Sequence, residues 1–149
     1  MPGPVPLGTI KILPIGEVQP SSDNPRKIPQ AAVDIVAKSI AEFGWQQPLV
    51  VDVGHTVIVG HTRLQAAQQL KLATVPMVVA DHLSESQVRA YRIADNRSGD
   101  FTSWDFPILS TQLEELSEDF SEVLALANWQ AIVAEYDKMT AEPLEDEEP

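Results

Sequence analysis

The chain has 149 residues, no cysteine, 44% apolar residues and a formal net charge of −12. That length can bury a real core in one domain, with or without an appendage; zero cysteines exclude disulfides, thiolate metal sites and a cysteine nucleophile, and no run reaches the roughly 18 apolar residues of a membrane span. Residues 1–109 carry 10 acidic and 9 basic side chains while residues 110–149 carry 12 acidic and 1 basic, so a near-neutral body precedes an acidic end.

Residues 1–8 are rich in proline and glycine and are expected to be a flexible N-terminus, with neither the basic n-region nor the long apolar h-region of a signal peptide. The expected location is cytoplasmic. Thr9–Leu13 predicts a strand with Ile10 and Ile12 on one face. Val18–Arg26 is turn-rich, because Pro20, Asp23, Asn24 and Pro25 break regular structure. Pro29 suits the first turn of a helix whose apolar face is Val33, Val36, Ala37, Ile40 and Phe43, and Gly44 closes it. Pro48–Val53 and Thr56–Val59 predict a hairpin or two nearby strands. A short helix follows over about Thr62–Leu70, with Leu64, Ala67 and Leu70 inward. Val75–Ala80 predicts another strand, which Pro76 puts at an edge or at a strand start. Ser84-Glu-Ser-Gln87 has the pattern of a capping box opening a helix through Ala94. After Asp95-Asn-Arg-Ser-Gly-Asp100 comes a loop with Trp104, followed by two acidic helices over about Phe106–Leu116 and Ser121–Met139.

The fold class expected is α+β: a small mixed sheet with short interleaved helices, followed by acidic C-terminal helices. The expected parts are residues 1–8 as the flexible start, 9–116 as the main domain, 117–139 as an acidic helical appendage and 140–149 as a disordered acidic tail.

The richest segment chemically is Thr56-Val-Ile-Val-Gly-His-Thr-Arg-Leu-Gln-Ala-Ala. An apolar strand runs into Gly60 and a helix begins at once. Glycine lets a ligand approach the backbone, and the first helical turn offers unpaired N–H groups at a positive dipole end. His61, Thr62 and Arg63 add side-chain donors there, which suits a phosphate. Alone, the segment reads more simply as a tight β–α turn with an exposed arginine. No Walker A pattern occurs. Asn24-Pro-Arg26 is a turn that projects an arginine. Asp95-Asn96 pairs a carboxylate with an amide, oxygen ligands that suit Mg²⁺; it also reads as an ordinary helix end. Gln46-Gln47-Pro48 says only loop. His55, His61 and His82 lack metal-ligand spacing. The five arginines, Arg26, Arg63, Arg89, Arg92 and Arg97, all lie in the body and read as phosphate contacts or as scattered surface charge. Bulk charge this acidic does not grip duplex DNA, so a DNA role rests on a local cluster or on a partner.

Taken in order, Asn24-Pro-Arg26, Ser39-Ile40 with Phe43-Gly44, Gln47-Pro48-Leu-Val-Val, Val59-Gly-His-Thr-Arg63, Ala66-Ala67, Val75-Pro76 and Ala94-Asp95-Asn96-Arg97 resemble the N-terminal domain of the ParB family, in the ParB/sulfiredoxin superfamily. The resemblance covers roughly Thr9 to Leu116. It implies that Gly60, His61, Thr62 and Arg63 cradle nucleoside triphosphate phosphates, with Asn24 and Arg26 as a second phosphate-side element. It further implies that Asp95 and Asn96 hold Mg²⁺, although the family residue at the first position is usually Glu and Asp95 is a shorter arm. Gln47 matches a position near the nucleotide. ParB proteins of chromosome segregation use CTP to close a clamp on DNA; other members with this domain have been called nucleases or ATPases. Sulfiredoxin chemistry is excluded, because it needs a cysteine where Thr62 stands. Segregation proteins continue into a basic DNA-reading domain; here the residues after Leu116 are acidic, so centromere binding is not expected of this chain alone. Arg89-Ala-Tyr-Arg-Ile-Ala-Asp-Asn-Arg97 with Trp104-Asp105 is similar to phage and mobile-element members found in front of DNA methyltransferases.

Three functions follow as expectations. The first is a nucleotide-binding module, taking CTP or ATP with Mg²⁺, hydrolysing slowly at most, dimerising on nucleotide binding and acting in DNA partition, modification or mobile-element regulation. The second is a Mg²⁺-dependent DNase or NTPase. The third is a ligand-free module whose acidic C-terminal helices hold a basic protein partner. None involves a membrane.

Overall fold

A computed structural model gives the structure of residues 3–22, 24, 27–116 and 119–124. Its chain divides into two compact units, Met1–Thr102 and Ser103–Pro149. In the first unit the strands β1 (Thr9–Pro14), β2 (Leu49–Val51), β3 (Val57–Val59) and β4 (Thr74–Val79) alternate with the helices α1 (Gln30–Phe43), α2 (His61–Gln69) and α3 (Glu85–Ser98). The strands form one mixed sheet in the order β1-β4-β2-β3. β4 runs antiparallel to β1 and parallel to β2, and β2 and β3 are an antiparallel hairpin. This is the α+β class expected.

Alternation builds the core. Leu49, Val51, Val57, Val75, Met77 and Val79 are buried, and Val18, Leu64 and Ala67 join them in one cluster. A second cluster of Val33, Ala37 and Ala66 joins α1 to α2. Full burial of a Val, Leu or Met side chain contributes roughly 1.5–3 kcal/mol, so these few positions carry much of the stability of a small sheet. Ile10 and Ile12 belong to an edge strand and stay 66% and 70% exposed.

The hairpin turn has a local cause. Asp52 Oδ1 accepts from the N–H groups of Gly54 and Thr56, both at 2.9 Å, and His55 takes φ 64°. An Asp that bonds its own backbone in this way is a preferred turn former.

Two expectations need correction. β4 is not an edge strand, since β1 and β2 flank it. Pro76 is tolerated because it stands one residue before Met77, the first β4 residue in register with β2, so its missing N–H falls outside that ladder. The helix expected to end at Ala94 runs on to Ser98, and a 3₁₀ turn follows over Gly99–Phe101. Two polar residues beyond Ala94 bond back into the helix. Asn96 Nδ2 donates to Arg92 O at 3.0 Å and Ser98 Oγ to Asp95 O at 2.8 Å.

In the second unit α4 (Phe106–Glu115) starts at Asp105, whose carboxylate accepts from the Ile108 N–H at 3.1 Å. The predicted helix over Ser121–Met139 falls outside the described residues apart from a turn at 121–124, and the tail over 140–149 lies wholly outside them. No described helix is long and apolar enough to cross a membrane.

Candidate functional site

β3 ends at Val59, and Gly60 turns the chain into α2 with φ 108° and ψ 26°. A left-handed conformation of this kind suits glycine. An added Cβ would also lie 2.8 Å from Leu49 Cδ2 and 3.2 Å from Arg63 Nη2. Gly60 O accepts the Leu64 N–H at 2.9 Å, and no side chain caps the helix. By helix geometry the first-turn N–H groups have no intrahelical acceptor and form a positive end.

Arg63 lies along this turn. Its Nη1 donates to Gln47 Oε1 at 3.3 Å and its Nη2 to Pro48 O at 3.4 Å, while Nε is buried without a partner. Burial pushes its pKa down, and Asp95 and then Tyr91 oppose that shift. An arginine keeps its charge regardless at neutral pH. Tyr91 is raised, by burial first and then by Asp95, with Arg63 opposing.

His61 Nε2 accepts the Ser21 N–H at 3.2 Å. A ring nitrogen that accepts is unprotonated, so the neutral tautomer carries its hydrogen on Nδ1. Burial, and then the Arg92 charge, hold the His61 pKa below 6.5. His61 thereby ties the loop after Gln19 to the start of α2 as a neutral group.

Asn24, Gly60, His61, Thr62, Arg63, Asp95 and Asn96 line one cavity of about 390 Å³, with Ile28, Ala32, Val36 and Ile58 among its apolar walls. Gln47 lies in the adjoining cavity with Trp45, Phe43 and Ser39, and the two cavities share Arg63. Arg26 lies outside the described residues. The apolar wall from α1 went unnoticed in the sequence, where its residues read simply as core. Arg92, seen there only as one arginine among five, is the one buried charged residue among the described residues, 6% exposed. No spacing in the sequence singles it out.

A helix start bearing backbone donors, a threonine hydroxyl and a guanidinium can hold a phosphate chain. Asp95 and Asn96 offer oxygens to a hard cation. Among the described residues no three His, Cys, Asp or Glu side chains cluster as a metal site, so a cation here would draw its other ligands from phosphate and water, as Mg²⁺ commonly does.

Comparison with known proteins agrees on family and fold. The profile of the ParB N-terminal domain matches residues 5–96. The ParB-like nuclease domain-containing protein YnaK of Escherichia coli K12 is 35% identical over 74 residues, which cover 50% of this chain and 85% of that protein. The protein named probable chromosome 2-partitioning protein ParB of Deinococcus radiodurans is 36% identical over 95 residues, 61% of this chain but 32% of that protein. The chain therefore spans about a third of the partitioning protein. Among solved structures, the C-terminally truncated chromosome-partitioning protein ParB of Caulobacter crescentus, complexed with CTP-γ-S, superposes with a TM-score of 0.62 at 25% identity, covering 78% of this chain and 71% of that one.

Proposed function

The chain belongs to the ParB N-terminal domain family, and we propose that it binds a nucleoside triphosphate, CTP ahead of ATP, as a magnesium complex in the Gly60 cavity. One observation carries the reading. Seven of the nine residues expected from the sequence line a single cavity, and an eighth, Gln47, reaches it through Arg63. CTP comes first because the similar Caulobacter protein is complexed with CTP-γ-S.

In this reading the phosphates lie against the backbone donors of His61, Thr62 and Arg63, with Asn24 in the same cavity and Arg26 as a further phosphate contact implied by the family resemblance. Asp95 and Asn96 would hold Mg²⁺, which would neutralise phosphate charge there. The base extends past Arg63 toward Gln47. Hydrolysis is slow at most: His61, the nearest imidazole, uses Nε2 to accept from Ser21, so it does not stand ready as a general base. The setting is DNA partition, modification or mobile-element regulation, with nucleotide-dependent dimers, weak or partner-assisted DNA contact, and a basic protein partner for the acidic C-terminal residues.

The test is calorimetric titration of the chain with CTP, ATP, GTP and UTP, each with Mg²⁺, beside Arg63→Ala. Binding of one nucleotide that weakens at least tenfold in the variant is expected. No binding of any nucleotide by a folded chain overturns the reading. The name of the E. coli relative includes a nuclease domain, which favours a Mg²⁺-dependent DNase as the second reading. Plasmid nicking by the parent chain that disappears in Asp95→Ala would select it.

A further inference from the structure

A third cavity, of about 460 Å³, lies beside the first half of α3 and is lined by Arg89 and Arg92 together with Ser22, Thr56, Asp52 and Glu85. Arg92 is only 6% exposed. Its Nη2 reaches Val57 O at 3.4 Å, and its Nε is buried without a partner. Neither arginine makes an ion pair within 4.0 Å among the described residues, where the pairs found are His82 with Asp81 and Arg97 with Asp100. Neither carboxylate in the cavity lies within 4.0 Å of a guanidinium nitrogen. Asp52 Oδ1 is held by the Gly54 and Thr56 N–H groups, and Glu85, four residues before Arg89, pairs with neither arginine.

A buried charge without a counter-ion is strongly unfavourable, so such groups are paired or meet a bound ion. Arg89 and Arg92 stand three residues apart and share one face of α3. Two guanidinium groups with hydroxyls beside them match an oxyanion with several acceptor oxygens better than a planar carboxylate. We propose that this cavity is an anion site, separate from the Gly60 cavity, which takes the phosphate group of a small anion between Arg92 and Arg89. The net charge of −12 disfavours a DNA backbone as the source of that phosphate. Burial first, and then the Arg92 charge, hold the His61 pKa down; an anion on Arg92 would oppose the second of these.

The experiment follows the thermal midpoint of the full chain with rising inorganic phosphate, with chloride at matched ionic strength, and with acetate and glycerol 3-phosphate in parallel. Four chains are compared: the parent, Arg92→Met, Arg63→Ala and Asp23→Asn. A site of this kind raises the midpoint of the parent by several degrees, saturating with phosphate, because a ligand that binds only the folded state stabilises it by mass action. Arg92→Met is expected to melt higher than the parent without phosphate, because the buried charge is gone, and to gain nothing from phosphate. Arg63→Ala and Asp23→Asn are expected to keep the parent's response. A response to inorganic phosphate but not to glycerol 3-phosphate assigns the free ion; a response to both assigns a phosphomonoester. No saturable rise in the parent, or a larger rise with acetate than with phosphate, overturns the proposal. So does a rise that Arg92→Met retains and Arg63→Ala loses, which would put phosphate in the Gly60 cavity and leave the nucleotide reading standing. A rise seen only in Asp23→Asn makes Asp23 the counter-ion and also overturns it.

Discussion

At the start of α3, Ser84 Oγ accepts the Gln87 N–H at 3.2 Å and Gln87 Oε1 accepts the Ser84 N–H at 2.9 Å. At the start of α2 stands Gly60, with positive φ and no capping side chain. Both helices follow strands of the same sheet, and both face the problem that first-turn N–H groups lack intrahelical partners. α3 answers in part from its own sequence: its capping box engages the Gln87 N–H before any ligand arrives. α2 leaves its donors bare beside a partly buried arginine and a cavity. α1 also begins without a side-chain cap, at Pro29, so a bare start is not sufficient by itself. The combination of bare donors, Arg63 and concave space sets the α2 start apart.

Substitutions at the two junctions should therefore fail in different ways. The largest effect is expected at Gly60. Gly60→Val adds left-handed strain and a clash with Leu49, at a cost of about 2–4 kcal/mol. Denaturant unfolding should show it, and nucleotide binding should vanish as well. A stable Gly60→Val chain that still bound nucleotide would break the comparison. Next is Arg63→Ala. Loss of charge-assisted hydrogen bonds worth roughly 1.5–3 kcal/mol predicts a tenfold to hundredfold weaker nucleotide complex by calorimetry. Ser84→Ala is the mirror case. It removes a cap worth about 1 kcal/mol from α3, so the unfolding midpoint should fall while nucleotide affinity stays unchanged.

The smallest effect concerns pH. The folded-state pKa of His61 lies below its ordinary 6.5, so the unfolded chain binds the proton more readily. His61's contribution is complete above pH 6.5 and is lost as pH falls through the depressed folded value. Protonation also removes the acceptor of the Ser21 N–H. Stability measured from pH 7.5 to 5 should decline on this account, and His61→Gln should flatten that part of the decline. An unchanged profile in the variant would move the acid sensitivity elsewhere.

Much of this was legible in the chain. The β3–Gly60–α2 junction follows from an apolar run, a glycine and an immediate helix, and the α3 cap from Ser84 and Gln87 at their spacing. That Asn24, Gly60 and Asp95 meet around one cavity was not legible in any one segment. Their sequence separations are long, and only the ordered set of motifs implied it. Of the two placements Pro76 allowed, the edge fails and a place before the β2 ladder holds, because its effect depends on where the β2 register begins, which is a tertiary fact. The end of α3 was placed too early because Asn96 and Ser98 are turn formers unless their side chains bond back to the helix. Arg92 was invisible as a buried charge, since burial is decided by what packs around α3 rather than by its neighbours in sequence.

The most direct test of the central claim is amide chemical-shift mapping of the isotopically labelled chain titrated with Mg²⁺-CTP. The account predicts large saturable shifts for the N–H groups of His61, Thr62 and Arg63, with those of Glu85, Ser86 and Gln87 unmoved. Shifts at the start of α3 with none at the start of α2, or no shifts at either under conditions where the chain is folded, would contradict it.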